Sequence, residues 1–96
     1  MYFYEALKEC MENGKKIRNK KWNGKDAYVY FVRGRQIDVK DWIDRSDASA
    51  ITEKEIEQGY VEVLGHLDMM TNDGKRLTGW LISQYDVVSD DWEVIE

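Results

Sequence analysis

Two strand-like stretches joined by an Asn-Gly turn signal make up residues 16–32, KIRNKKWNGKDAYVYFV. Lys16–Asn19 can form a short strand, and Ala27–Val32 is rich in β-branched and aromatic residues. Asn23 and Gly24 suit a tight turn because both tolerate positive φ, so the second strand is expected to follow at once. Neither alternating face of Ala27–Val32 is polar, which predicts a strand that is central in a sheet or covered by another subunit.

An amphipathic helix is predicted before these strands. Apolar residues recur at the spacing i, i+3, i+4, i+7 and i+8, which places them on one helical stripe: Phe3, Ala6, Leu7, Cys10 and Met11. Gly14 should end the helix, because glycine adopts the left-handed conformation that is common after a helix C-terminus.

The second half of the chain carries further strand patterns. Strand-forming residues resume at 60–64 and continue at 67–70, with a bulge allowed at Gly65-His66 between them. Asn72-Asp73-Gly74 is a hairpin turn signal, and residues 83–86 are typical of a polar loop or helical turn. Residues 92–95 alternate like a terminal or edge strand.

Residues 37–59 are less regular and mostly acidic, and Arg33-Gly34-Arg35 before them is predicted to be a turn. Thr52 and Glu55 form a capping box for a short helix that should end near Gly59. The whole pattern predicts an α+β fold: an N-terminal amphipathic helix on a mostly antiparallel sheet of about five strands, with a short extra helix in this excursion. At 96 residues without a linker, the chain is expected to form one domain, 1–96.

Composition and charge argue against some classes of function. A formal net charge of −5 argues against nonspecific nucleic-acid binding, which depends on Lys and Arg contacts to phosphates. Residues 1–35 nevertheless hold nine Lys or Arg against four Asp or Glu, a basic excess that either meets a small anion or is solvated and paired with acidic neighbours. The single cysteine suits a reducing cytosol. Neither a membrane span nor a signal peptide is apparent, so the protein should stay in the cytoplasm where it is made.

Catalytic and metal motifs are weak. His66 and Asp68 would point to the same face of a strand, but no Ser or Cys nucleophile is close in the pattern, which favours a structural hydrogen bond. The chain offers no spaced metal-ligand set, phosphate loop or dinucleotide fingerprint, and Asp90-Asp91 is more simply a solvated turn. We therefore expect no metal, no cofactor and no enzymatic activity.

Trp22 is the main candidate for binding chemistry, because it lies among Lys20, Lys21 and Lys25. An indole beside ammonium groups can stack on a base while the cations meet its phosphates. The alternative is that Trp22 packs under the two strands as an anchor of the core.

Several short motifs occur together in one order. They are Phe3-x-x-Ala6-Leu7 leading to Gly14, Ile17-x-Asn19, Trp22-Asn23-Gly24, His66-Leu67-Asp68-Met69, Asp73-Gly74, Trp80, Ser83-Gln84-x-Asp86 and Asp91-Trp92. Together they resemble the phage-encoded anti-Thoeris family of the second type, over about residues 1–32 and 60–96. Residues 36–59 lie outside the recognised pattern, and Asn19 stands where the family leads us to expect an arginine.

The resemblance implies a small non-catalytic sponge. Such proteins are homotetramers whose pockets, formed between protomers, hold glycocyclic ADP-ribose made by bacterial TIR-domain enzymes without cleaving it. Some relatives also take cyclic dinucleotides in separate pockets. The implied setting is the cytoplasm of an infected bacterium, where the sponge keeps the signal from its receptor.

Nine residues are candidates for contact with the signal: Phe3, Trp22, Asn23, Gly24, Asp68, Trp80, Ser83, Gln84 and Asp86. The aromatic residues would stack on the adenine, Asn23 and the Gly24 amide would reach phosphate or base edges, and the 83–86 segment would address ribose hydroxyls. Two alternatives remain open. One is an inhibitor of a host defence enzyme that acts by protein contact through residues 36–59. The other, less favoured, is a small phosphodiesterase centred on His66 and Asp68.

Overall fold

Helix α1 spans Phe3–Asn13 in the computed structural model, which describes residues 1–45 and 50–95. Ala6 and Cys10 on the predicted stripe are fully buried, whereas Met11 lies at its margin and is 44% exposed. Burial raises the pKa of the Cys10 thiol, against a smaller opposing effect of a hydrogen bond with the Phe31 backbone. Gly14 ends the helix at φ 65°, as predicted.

The other elements follow in chain order: β1 (Lys16–Asn19), β2 (Tyr28–Val32), β3 (Arg35–Asp38), α2 (Val39–Arg45), α3 (Glu53–Gln58), β4 (Tyr60–Val63), β5 (His66–Met70), β6 (Arg76–Leu77), α4 (Gln84–Val88) and β7 (Trp92–Ile95). They belong to two compact units. One consists of Met1–Val32 and the chain from His66 onward, and the other of Arg33–Gly65.

The first unit contains a five-stranded sheet in the order β6-β5-β2-β1-β7, and every neighbouring pair is antiparallel. Strand β2 is therefore the middle strand, which is one of the two positions predicted from its two apolar faces. Strand β7 lies at the edge, also as predicted. The predicted α+β arrangement of a helix and an antiparallel sheet of about five strands is confirmed.

The core of this unit lies between α1 and one face of the sheet. Ile17 and Val29 are paired across β1 and β2 and are fully buried, as is Trp92 at the start of β7. Partly buried residues pack around this cluster: Phe3, Trp22, Phe31, Leu67, Met69, Trp80, Ile82 and Val94. Large side chains from the helix, strands and loops thus fill one small interior.

The second unit is built on a two-stranded antiparallel sheet of β3 and β4, in which buried Ile37 lies opposite buried Val61. Helix α3 has the predicted capping box: the Thr52 hydroxyl accepts a hydrogen bond from the Glu55 amide at 3.2 Å. Gly59 ends this helix at φ 88°, as predicted. Residues 46–49 of the predicted excursion lie outside the described residues.

Two predictions in this region are wrong. Arg35 begins strand β3 and does not close a turn, and the helix α2 that follows had no prediction. Strands β4 and β5 do not form one bulged strand, because β4 pairs with β3 whereas β5 pairs with β2 and β6. The chain instead leaves the β3–β4 sheet before Gly65. It passes close to Gly34 there, since the Gly65 amide nitrogen lies 2.9 Å from where a Cβ on Gly34 would stand.

Over its described residues, the chain has no helix with both the length and the apolar composition needed to cross a membrane.

Candidate ligand-binding cleft

A cleft of about 390 Å³ opens on the first unit, a volume within the range of small-molecule sites. Its walls come from the loop of residues 20–27, the end of β5, the turn after β5 and the segment that leads into α4. The lining residues are Trp22, Asn23, Ala27, Met69, Asn72, Trp80, Leu81, Ser83 and Asp86.

Three tryptophans form the apolar side of the cleft and the core behind it. Trp22, Trp80 and Trp92 meet edge to face, with ring centroids 5.4–6.4 Å apart. Trp92 is buried, whereas Trp22 and Trp80 are half-buried and line the cleft. Trp22 packs against the core cluster, as the second interpretation predicted, and it also lines the cleft. A binding role for Trp22 stays a prediction.

Asp86 fixes the orientation of this aromatic wall. Its Oδ1 accepts hydrogen bonds from the Trp22 indole Nε1–H at 3.0 Å and from the Asn19 amide at 3.2 Å. Its Oδ2 accepts from the Ser83 hydroxyl at 2.9 Å, and its backbone carbonyl accepts from the Trp92 indole at 2.7 Å. One residue in the first turn of α4 thus anchors two indoles.

Local sequence explains how α4 places this carboxylate. Ser83 is the N-cap of the helix, and its hydroxyl accepts a hydrogen bond from the Asp86 amide at 3.1 Å. The predicted helical turn is therefore confirmed. Asn19, found where an arginine was expected, is buried at the end of β1 and directs its amide to Asp86, away from solvent.

The 20–27 loop is longer than the tight turn predicted for Asn23-Gly24. Strand β1 ends at Asn19 and β2 begins at Tyr28, so the Asn-Gly pair lies inside a loop and does not close a two-residue hairpin. The loop exposes Lys20, Lys21 and Lys25 close in sequence to Trp22. Three of the nine basic residues of 1–35 thus belong to the loop that forms one wall of the cleft.

Five of the nine candidate residues line the cleft: Trp22, Asn23, Trp80, Ser83 and Asp86. The other four are Phe3, Gly24, Asp68 and Gln84. Phe3 packs on the Trp92 ring at 4.9 Å. Gly24 lies against the Asn72 side chain. Gln84 is exposed on α4, and buried Asp68 accepts a hydrogen bond from the Gly79 amide.

Four lining residues had no functional prediction: Ala27, Met69, Asn72 and Leu81. The sequence pattern places Ala27 and Met69 in strands. It predicts a turn at Asn72, because Asn-Asp-Gly is a strong turn signal. Its position two residues after β5 brings it to the cleft, which local patterns do not reveal.

His66 and Asp68 lie on one face of β5 as predicted, with His66 Nε2 3.3 Å from Asp68 Oδ1. They are not among the lining residues of the cleft, and Asp68 also holds the Gly79 amide at 2.8 Å. This geometry fits the structural hydrogen bond that the sequence favoured. Within residues 1–45 and 50–95, no three His, Cys, Asp or Glu side chains are grouped so that they could hold a metal ion.

Comparison with known families agrees with the motifs. The family model described as Tad2-like, the Thoeris anti-defense 2-like domain, matches residues 1–95 and so includes residues 36–59, which the motifs left unassigned. No curated protein matches the sequence. The family match takes in the 20–27 loop, strand β5 and the 80–86 segment, and so every part of the cleft wall. The chain therefore belongs to the Thoeris anti-defense 2-like domain family.

Proposed function

We propose that this protein binds glycocyclic ADP-ribose in the cleft and sequesters it without cleavage, which keeps the signal from its bacterial receptor. Family membership supports the broader role, phage counter-defence against Thoeris immunity, and indicates that this role is non-catalytic. The choice of ligand and the sequestering mode are our proposal, and the cleft is the observation that carries them.

The cleft has the chemistry that an adenine nucleotide requires. Trp22 and Trp80 present indole surface on which a base can stack, and a base stacked on an aromatic ring contributes about 1–3 kcal/mol to binding. Asn23 and Ser83 bring an amide and a hydroxyl group to the same cleft, where they can bond base edges, ribose hydroxyls or phosphate oxygens.

Charge suggests how the ligand would be oriented. The phosphates of a cyclic dianion are repelled by Asp86 and attracted by the exposed lysines of the 20–27 loop. Ribose hydroxyls, which are donors as well as acceptors, suit the side of the cleft formed by Ser83 and Asp86. We therefore place the phosphates toward the loop and the ribose toward α4.

An apolar surface beside the cleft supports binding between subunits. Leu81 lines the cleft and is 89% exposed, and Tyr85 and Val88 on α4 are 88% and 73% exposed. A second copy of the chain over this surface would bury it and enclose a ligand that a small domain alone meets only in an open cleft. We propose the homotetramer that the family resemblance implies, with pockets between protomers.

Calorimetric titration with glycocyclic ADP-ribose tests the site. A sponge that outcompetes a receptor needs nanomolar affinity, equivalent to about −12 kcal/mol. Trp22→Ala should weaken binding by roughly 30-fold or more, the loss typical of an aromatic hot spot. Tyr4→Ala is the matched control, because Tyr4 is an exposed aromatic residue on α1 that does not line the cleft, and it should bind like wild type. Equal affinity of the Trp22→Ala and wild-type proteins would exclude this cleft as the site.

The second candidate function is inhibition of a host defence enzyme by protein contact. Its support is the Arg33–Gly65 unit, which is compact by itself and exposes Ile56 and Leu64. Replacing Asp38, Asp41 and Asp44 with Asn would separate the two functions. Lost protection against Thoeris with unchanged ligand binding favours the protein contact, whereas unchanged protection favours the sponge.

A further inference from the structure

Asn72, in the turn between β5 and β6, bonds to a loop that lies more than forty residues earlier in the chain. Its side-chain oxygen accepts hydrogen bonds from the amides of Asp26 at 3.1 Å and Ala27 at 2.9 Å. Its side-chain nitrogen donates to the carbonyl of Asn23 at 3.1 Å. One side chain thus satisfies three backbone groups of the 20–27 loop, including both sides of Gly24-Lys25.

The turn that carries Asn72 is itself held by hydrogen bonds. The Thr71 amide donates to the Lys75 carbonyl at 2.8 Å, and the Gly74 amide donates to the Thr71 carbonyl at 3.1 Å. The Lys75 amide also donates to the Thr71 hydroxyl at 3.0 Å. Asn72 therefore projects from a closed turn onto a loop that contains neither helix nor strand.

Gly24 shows how closely the loop fits over this side chain. A Cβ on Gly24 would lie 2.6 Å from Asn72 Nδ2 and 2.8 Å from Oδ1, closer than unbonded atoms approach. Gly24 also has φ 85°, which side-chain-bearing residues rarely adopt. The need for glycine thus has two causes, and one of them is the amide of Asn72.

We infer that Asn72 is a positioning residue for the cleft: it holds the 20–27 loop in the conformation that presents Trp22 and Asn23 to the ligand. The effect of Asn72 on binding rests on the proposed function, whereas its effect on the loop is independent of any ligand. An asparagine is suited to the task because it combines an oxygen that accepts two hydrogen bonds with a nitrogen that donates.

A positioning role has a specific kinetic consequence. If loss of Asn72 leaves the loop in the binding-competent conformation only part of the time, affinity falls in proportion to that fraction. The loss of affinity then appears as a lower association rate, because the complex, once formed, contains the ordered loop. A residue that contacts the ligand directly would instead raise the dissociation rate when removed.

The test compares Asn72→Ala and Asn72→Asp with Thr78→Ala, a control at an exposed position next to β6. Residue-resolved amide exchange in the free proteins should show faster exchange of Asp26 and Ala27 in Asn72→Ala. In Asn72→Asp these two amides should exchange more slowly than in Asn72→Ala, because the carboxylate still accepts both bonds although one oxygen now faces the Asn23 carbonyl. Stopped-flow binding of glycocyclic ADP-ribose to Asn72→Ala should show association slower by roughly tenfold with unchanged dissociation. Thr78→Ala should match wild type in both measurements.

Unchanged protection of Asp26 and Ala27 in Asn72→Ala would overturn the inference. If dissociation were also faster in that variant, Asn72 would be a direct contact of the ligand. If wild type does not bind glycocyclic ADP-ribose, the proposed function fails, and amide protection alone then decides the role of Asn72. If Asn72→Ala does not fold, the same measurements on Asn72→Asp decide the matter: exchange of the Asp26 and Ala27 amides as fast as that of free, solvent-exposed amides would contradict the role given to the side-chain oxygen.

Discussion

Asp86 is the residue on which the aromatic wall of the cleft depends. Its carboxylate accepts from Trp22, Asn19 and Ser83, and Asn19 is only 3% exposed. If the acceptor of a buried donor is removed, water does not replace the lost partner. The folded state then bears the full free energy of desolvation of that donor. The contribution of Asp86 to binding is therefore inseparable from its contribution to the fold.

Asp86→Asn should lower the free energy of unfolding by about 1–3 kcal/mol, because a neutral amide oxygen accepts from Trp22 and Asn19 more weakly than a carboxylate, and the new N–H group faces the Ser83 hydroxyl that donates to Oδ2. Urea denaturation followed by tryptophan fluorescence measures this loss. Asp90→Asn, on an exposed side chain, should change the same quantity by less than about 0.5 kcal/mol. Equal stability of Asp86→Asn and wild type would show that the hydrogen bonds to the carboxylate contribute nothing net.

The position of a side chain could be predicted from sequence where its environment is local. The flanking lysines and the turn signal marked Trp22 as a candidate, and it does line the cleft. Phe3 had a similar aromatic character, but its place on the inner stripe of α1 directs it to Trp92. Asn72 shows the reverse case, since its partners lie in another part of the sequence and no local pattern identifies them.

Two helix caps of similar geometry allow the elements to be compared. Ser83 caps α4 beside the cleft, and Thr52 caps α3 in the Arg33–Gly65 unit. Ser83→Ala and Thr52→Ala should each lower stability by about 1 kcal/mol, because each loses an N-cap acceptor. Under the proposed function only Ser83→Ala should also weaken ligand binding, as measured by calorimetry. A comparable loss of affinity in Thr52→Ala would contradict the assignment of the ligand to the cleft.

Elements with strong local signals were predictable, and those defined by distant partners were not. The capping box and terminal glycine of α3 are contained in a few residues, so they identified the helix correctly. Strand β3 has one buried apolar residue, Ile37, and exists through its pairing with β4, which the local sequence does not encode. The 20–27 loop likewise has a distant partner, because two of its amides bond to Asn72, far along the chain.

At the scale of the whole molecule, the exposed apolar face of α4 predicts assembly. Wild type should sediment as a tetramer at micromolar concentration, and Val88→Asp should dissociate it by placing a charge in the interface. Val88 does not line the cleft, so weaker ligand binding by this variant would be a consequence of lost assembly. Leu64→Asp, a similar change at an exposed site in the other unit, should remain assembled. A monomeric wild-type protein would contradict the pocket between protomers.

Sequestration without chemistry is the central claim, and one measurement tests it directly. Purified protein is mixed with glycocyclic ADP-ribose and filtered, and the retained protein is then heated to release what it holds. The account predicts depletion of the signal from the filtrate and recovery of the intact molecule, still active on its receptor. An undepleted filtrate, or recovery of only a degraded product, would contradict it.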